Sequence, residues 1–287
     1  MTTANTTRTT EQLVSERYRA DLDSPVADGT ETIDLQLAHR SVREFLPGEI
    51  SDAQLRLIVA AAQSGSVSSN LQTWSIIAIR DEARKRRVSE AIGGRSYVEH
   101  AAVFLVWVAD YHRAVQIAQQ RGSEVETVKY LENTLVSFVD AGISGQNALL
   151  AAESLGLGGV FVGSIRNNPP GVVEELGLPE HVFPIVGLAI GVPDPDEAAS
   201  TKPRLPQSAV LHEETYDADA WSDASAAYET RLADYYANYD KPDYSWAHTL
   251  ERRIGNVKGL YGRERMRDWL GEQGLTSETQ RSCGWRG

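Results

Sequence analysis

A single cysteine, Cys283, in 287 residues leaves no internal partner, which excludes a disulfide framework and argues against a zinc–cysteine site. Positive charge is also short. The chain carries 28 Lys/Arg against 40 Asp/Glu, a formal charge of −12, which argues against a nucleic-acid binder because phosphate backbones attract basic faces. No apolar run is long enough to cross a bilayer, and the threonine-rich start MTTANTTRTT lacks the apolar core of a signal peptide. A cytoplasmic protein that engages neither membrane nor nucleic acid is expected. Catalytic signatures are missing as well. There is no HExxH pair and no GxxxxGK phosphate loop, and the six histidines (39, 100, 112, 181, 212, 248) are scattered, so no metal is expected. AGISGQN misses the nucleophile-elbow spacing by one residue and falls inside a helical pattern. GLGG (156–159) follows a helix and precedes a strand, the reverse of a dinucleotide fingerprint, so Gly156 and Gly158 read as a helix stop. Hydrolase, metalloenzyme and NTPase chemistries therefore have no entry point.

What is present is an ordinary globular composition, 41% hydrophobic and 24% charged, long enough to bury a substantial core. Residues 1–30 are polar and read as a flexible arm, or a short helix around TEQLVSERYRADL. ETIDLQLAHR sets Ile33, Leu35 and Leu37 within helical reach, and SDAQLRLIVAAAQSG opens on Ser51 as an N-cap and closes on Gly65. WSIIAIR (74–80) is a β-branched strand, and AAVFLVWVAD (101–110) is a continuous apolar run, the mark of a strand covered on both faces. The longest helical pattern runs from about 124 to 155, with Val128, Leu131, Leu135, Phe138, Val139 and Ile143 at three- and four-residue steps. Its second half is rich in small residues (Ala141, Gly142, Ser144, Gly145, Ala148), which permits close approach of another helix or a cofactor. GGVFVGSI and VFPIVGLAIG are two further buried strands around a short helix near 169–176, and 219–272 reads as two or three amphipathic helices. Residues 241–287 hold nine Lys/Arg against six Asp/Glu, leaving the body of the chain more acidic than its end. Four strands, flanking helices and a helical C-terminal arm suggest α+β packing completed by a second subunit.

Four groups of hydrogen-bond donors stand out: His39-Arg40-Ser41-Arg43, GSVSSNLQ (65–72), FVGSIRN with Gly163, Ser164 and Arg166, and TKPRLP with Lys202 and Arg204. Each alone has a bland reading as a helix-end charge, a turn or a bend. Together they offer guanidinium and ammonium groups for a phosphate, plus strand-end amides for the edge of a polar ring. A flavin mononucleotide fits that inventory.

The segments HRSVREF, SVSSNLQTWSI, DAGISGQNALLAAESLGLGGVFVGSIRNN and KPRLP, in this order, resemble the nitroreductase / NAD(P)H-flavin oxidoreductase family, in its oxygen-insensitive major nitroreductase and flavin reductase branch. The likeness runs from about residue 32 to 272. It implies an α+β fold with a central, mainly antiparallel four- to five-stranded sheet flanked by helices, a long dimer-interface helix, and a C-terminal helical arm exchanged with the partner subunit. The implied division is a flexible arm (1–30), an FMN-binding core (31–205) and a helical extension embracing the partner of a homodimer (206–287). Carried over by resemblance, His39, Arg40, Ser41 and Arg43 form the first FMN-binding segment. Ser68 and Ser69 match a serine run, Val162, Gly163 and Ser164 the strand end near the isoalloxazine, and Lys202 and Arg204 a basic pair at the phosphate and N1/O2. Arg95 stands where the family usually has a flavin-contacting glutamine, and Ser164 where it has a second glycine. Asn70, Tyr239 and Arg263 fall on the substrate side, with Arg265 a near neighbour of the last. In YYANYDKPDYSW the branch's arginines for the NADPH 2′-phosphate are replaced by Tyr239 and by Lys241 or Tyr244, so either NADPH or NADH is expected as donor. The implied activity is ping-pong hydride transfer from NAD(P)H through FMN to a small-molecule acceptor: a nitroaromatic, quinone or flavin. No side chain is expected to act as nucleophile. The alternatives are another acceptor (ene, azo or dehalogenation substrate), or a flavin-binding protein without fast turnover.

Overall fold

The computed structural model describes residues 8–20 and 25–276; Cys283 and the rest of the tail, like residues 1–7 and 21–24 of the N-terminal stretch, lie outside them. In chain order the elements are α1 (Thr10–Tyr18), α2 (Glu31–Ala38), β1 (Phe45–Leu46), α3 (Asp52–Gln63), β2 (Trp74–Ile79), α4 (Glu82–Ala91), α5 (Ser96–His100), β3 (Val103–Asp110), α6 (His112–Gln120), α7 (Leu131–Ser154), β4 (Gly158–Val162), α8 (Pro169–Leu176), β5 (Val182–Pro193), α9 (Trp221–Ala237), α10 (Trp246–Ile254) and α11 (Met266–Glu272). They fall into two compact units. One is drawn from the described residues of Met1–Arg40 and Ala198–Gly259, the other from those of Ser41–Glu197 and Leu260–Gly287.

The second unit holds the sheet, ordered β1-β5-β3-β2 with β4 also paired to β5, and every pairing is antiparallel. β3 is the apolar run, and its side chains alternate between two cores. Val103, Leu105, Trp107 and Ala109 face one cluster with residues of α3 and α7. Phe104, Val106 and Val108 face the other, with Val88, Ile92, Val98 and Val172 of α4, α5 and α8. The continuous hydrophobicity thus reflects a strand covered twice. Between Trp107 and Val108 the register with β5 slips by one residue, which places Pro184 at a bulge, where its missing N–H breaks no regular ladder. The fold is α+β, as expected. The short β1 is the strand that the sequence pattern did not announce.

Local chemistry sets the helix ends. Ser51 and Gln54 form a reciprocal capping box at the start of α3. Asn168 caps α8, Pro169 occupies its first turn, and Gly177 ends it in the left-handed region (φ 61°).

Two expectations need correction. The long helix begins at Leu131, not near 124, because Thr127–Lys129 form a separate 3-10 turn and Tyr130 is extended (φ −90°, ψ 145°). Its large apolar residues divide, with Phe138 packed against the core and Leu149 buried in it while others face outward. Leu135 and Val139 are 51% and 59% exposed, and Leu131 and Ile143 are exposed with them. The buried face is mostly small, with Ser137, Asp140, Ala141, Ser144, Gly145 and Ala148 beside Thr134, Leu149 and Ala152. The physical reason is the closeness of helix and sheet: a Cβ on Gly145 would stand 3.2 Å from the Phe161 ring. Only small residues fit there, and their polar atoms bond inward, as where the buried Trp107 Nε1 donates to Ser144 Oγ at 2.8 Å. Gly156 ends the helix with φ 77°, as read. Gly158 does not. It lies in β4, where a Cβ would come within 2.6 Å of Val42.

The first unit packs α1 with α2 and gathers an aromatic cluster along α9, with Tyr228, Leu232 and Tyr235 buried and Tyr236, Tyr239, Tyr244 and Trp246 packed against them. Within the stretch expected as an arm or short helix, Thr9 and Gln12 form a capping box that starts α1, and Leu13, Val14 and Arg17 are buried.

Gly187 of β5 is the tightest test of the sheet. A Cβ there would fall 2.3 Å from Cζ of the fully buried Phe104. Gly187→Ala is expected to lower stability by about 1–3 kcal/mol through overpacking, read as a reduced denaturation midpoint; an unchanged midpoint would show that Phe104 relaxes freely.

Candidate functional site

The first donor segment is divided between the two units after Arg40. In the sheet-bearing unit, Val42 is the anchor. Its side chain is buried against Gly158, and its N–H donates to the Gly159 carbonyl at 3.0 Å. The paired glycines are therefore the gap into which this segment fits. Pinned by Val42, the chain leaves Ser41 partly buried and Arg43 exposed, and the Arg43 N–H donates to the Glu197 carboxylate at 3.0 Å.

Ser68, Ser69 and Asn70 form one exposed 3-10 turn before β2. Ser69, Asn70 and Gln72 all have φ near +50°, a conformation costly for side-chain-bearing residues, so the surroundings must impose it. Two groups do so. The carboxylate of Asp140, buried on α7, accepts the Ser68 N–H at 3.1 and 3.2 Å. The Arg113 guanidinium donates to the Gln72 carbonyl at 2.6 Å. Neither residue was singled out from the sequence. Asp140 lies in a helical stretch where an acidic residue reads as solvated.

At the end of β4, Val162 is buried and Gly163 faces open space: a Cβ there would meet nothing nearer than an Arg166 nitrogen at 3.7 Å. Ser164 is only 9% exposed, and its hydroxyl has no hydrogen-bond partner. Such an orphan costs free energy unless a ligand or solvent satisfies it. Arg263 is brought to this strand end, donating from Nε to Asn167 Oδ1 at 2.9 Å and from its terminal nitrogen to the Gly163 carbonyl at 3.1 Å. Arg265 instead lies over the Trp269 ring at 5.3 Å. Arg166, counted among the donors, turns inward to the Ile185 carbonyl, and burial pulls its guanidinium below the ordinary value. Arg95, half-buried, is fixed by its backbone: its N–H and C=O both bond Ser89 Oγ, at 2.6 and 3.1 Å.

In the other unit the structure brings together His39, Arg40 and Lys202, at or next to carbonyls held by one guanidinium, and Arg204, whose N–H bonds that residue's carbonyl. Arg17 donates to Leu37 O (2.5 Å), His39 O (2.6 Å) and Lys202 O (3.2 Å). The Lys202 ammonium also sits 5.2 Å above the Tyr236 ring, and the Lys241 ammonium 5.9 Å from it. Tyr239 shares a 2.9 Å hydroxyl bond with Ser200. Burial pushes the Tyr235 phenol up to about 12. For Tyr239 burial acts upward too, but hydrogen bonds with Ser200 and Tyr235 outweigh it and hold the phenol below its usual value. Among the described residues there is no group of three or more His, Cys, Asp or Glu that could hold a metal, and no helix long and apolar enough to cross a membrane.

The nitroreductase family model matches residues 37–192, and the model of the same family's C-terminal domain matches 202–278. The chain is 36% identical over 249 residues to an FMN reductase (NADPH) of Bacillus subtilis, covering 85% of this chain and 98% of that protein. It is 44% identical over 207 residues to an oxygen-insensitive NADPH nitroreductase of Salmonella typhimurium, covering 71% and 82%. Among solved structures, NfrA2 of B. megaterium superposes with a TM-score of 0.82 at 36% identity, covering 88% of this chain and all of the other. The NADPH:FMN oxidoreductase of Vibrio harveyi complexed with NAD+ gives 0.77 at 35% identity, covering 87% of this chain and all of the other. The two matched stretches together span most of the sequence, and this chain belongs to the nitroreductase family.

Proposed function

We propose that this chain binds FMN and acts as an NAD(P)H oxidoreductase, passing electrons to a small-molecule acceptor of the nitroaromatic, quinone or flavin kind. The observation that carries the reading is the end of β4, where an unpartnered, buried Ser164 hydroxyl stands beside the open backbone of Gly163. That pairing suits the polar edge of a flat ring approaching the main chain. Family membership and the relatives' names, FMN reductase and NADPH nitroreductase, support the same choice.

Bound FMN would supply the hydride chemistry that these side chains lack. The chain's own part is to hold and orient. His39, Arg40, Lys202 and Arg204 are the proposed phosphate-side donors, and Ser41, Arg43, Ser68, Ser69 and Arg95 the proposed contacts along the rest of the cofactor. Val162, Gly163 and Ser164 meet the ring edge. Arg263 fixes the Gly163 carbonyl and so the shape of that strand end. Asn70, Tyr239 and Arg263 are the proposed substrate-side residues. Cationic donors aimed at a ring edge favour negative charge developing there. In the segment 235–246 the resemblance puts Tyr239, with Lys241 or Tyr244, where the branch has arginines, so NADH is proposed as a donor alongside NADPH.

The protein is also proposed to be a cytoplasmic homodimer, with a core over 31–205 and an embracing extension over 206–287. Support comes from α7, whose Leu131, Leu135, Val139 and Ile143 recur every four residues as one exposed apolar stripe.

Purified protein should be yellow, with a flavin absorbance band, and Arg43→Ala should lose FMN on desalting; a fully loaded variant would remove Arg43 from the site. Mixed anaerobically with NADPH or NADH, the bound flavin should bleach within a turnover time. Slow bleaching by both donors would defeat the reductase assignment, and faster bleaching by NADH would mark 235–246 as the segment that sets donor preference.

A further inference from the structure

One buried cation is used by none of the roles above. Arg17 on α1 is only 7% exposed, yet it lies in a stretch whose composition reads as a solvated arm. Its guanidinium bridges two segments more than 160 residues apart in sequence: the end of α2, through Leu37 O and His39 O, and the proline-flanked KPR segment, through Lys202 O. A fourth bond closes the contact from the other side, the Arg204 N–H donating to the Arg17 carbonyl at 3.0 Å. Both bridged segments carry the donors assigned to the FMN phosphate.

We propose that Arg17 is a positioning residue for the cofactor, fixing the spacing of His39-Arg40 against Lys202-Arg204 so that both can address one anionic group. This rests on the FMN reading above. The chemistry favours a guanidinium. Its planar fork donates in two directions at once, which a lysine ammonium on a flexible stem does less rigidly. Its partners include the last carbonyls of α2, where the helix dipole is negative and a buried positive charge is favoured. The same guanidinium lies close to donors meant for an anion and adds to their field.

The rest of α1 behaves as a mount for this one side chain. Leu13 and Val14 are buried. Thr10 Oγ1 donates to Asp34 of α2 at 2.7 Å and accepts the Gly29 N–H at 3.1 Å. Just past the helix end, Arg19 stacks over the Tyr235 ring at 5.0 Å. The helix lies outside both stretches matched by the family models, so the clamp is not part of what those models describe.

The test is the FMN dissociation constant of the full chain, measured by quenching of flavin fluorescence, for the wild type, Arg17→Ala, Arg17→Lys, Leu13→Ala and Arg204→Ala. Losing charge-assisted bonds that fix two binding segments should weaken FMN about tenfold or more in Arg17→Ala. Arg17→Lys should fall between that variant and the wild type. Leu13→Ala, which loosens the packing of α1 but keeps the guanidinium, should stay within about twofold of the wild type. Wild-type affinity in Arg17→Ala, or an equal loss in Leu13→Ala, would overturn the positioning role while leaving the site reading intact. A wild type that binds no FMN, or an Arg204→Ala variant that binds it normally, would overturn both.

Discussion

The close approach of α7 to the sheet is the constraint on which the larger unit depends. At Gly145 the helix lies so close to Phe161 that even a Cβ would press on the ring. That closeness reverses the usual logic of an amphipathic helix. The face turned inward is small and partly polar, and each buried polar group on it has work to do: Ser144 accepts the Trp107 indole, Ser137 donates to Thr73, and Asp140 accepts the Ser68 N–H. Buried polar groups are costly when unpaired and rigidifying when satisfied. The helix therefore does more than cover the sheet. Through Asp140 and Ser137 it fixes the exposed turn 68–72 and the buried Thr73 that follows it, a stretch where three residues take up left-handed backbone.

The same economy governs the donor segment at 41–43. Its one cation, Arg43, is exposed, and it is held by its one apolar residue: Val42 enters the gap left by Gly158 while its N–H bonds the next residue's carbonyl in β4. A pair of glycines that resembles a cofactor motif in isolation is thus a packing feature. It still serves the site, because the strand it notches ends in Val162, Gly163 and Ser164.

Much of the fold was legible before the coordinates. A continuous apolar run such as VFLVWVA has only one comfortable setting, a strand with two covered faces, and Pro169 and Gly177 bracket α8 by their backbone limits. What was not legible follows from interactions invisible to periodicity. Leu131, Leu135, Val139 and Ile143 have core-like spacing, but that spacing reports only that a face is apolar, not which surface covers it. The small residues opposite them were the better guide. Gly158 was misread for a related reason: a glycine that admits a neighbour's side chain looks, in sequence, like one that ends a helix. Arg17 and Asp140 were missed because a charge in a polar stretch or on a helix is usually solvated, and nothing local shows that its partners lie far along the chain.

These omissions share a pattern that bears on how such a site is built. The residues that sequence resemblance picks out, His39, Arg40, Ser68, Ser69, Lys202 and Arg204, are mostly exposed or half-buried and sit on loops and helix ends. Their positions are set by buried ionisable side chains one step behind them: Arg17 through carbonyls in one unit, Asp140 through an N–H in the other. A side chain that bonds backbone holds its segment whatever side chains that segment carries. The contacting residues can then vary with the ligand while the scaffold keeps its geometry. Arg95 and the end of β4 follow the same rule, since the backbone bonds of Ser89 to Arg95 and of Arg263 to Gly163 keep those positions in place.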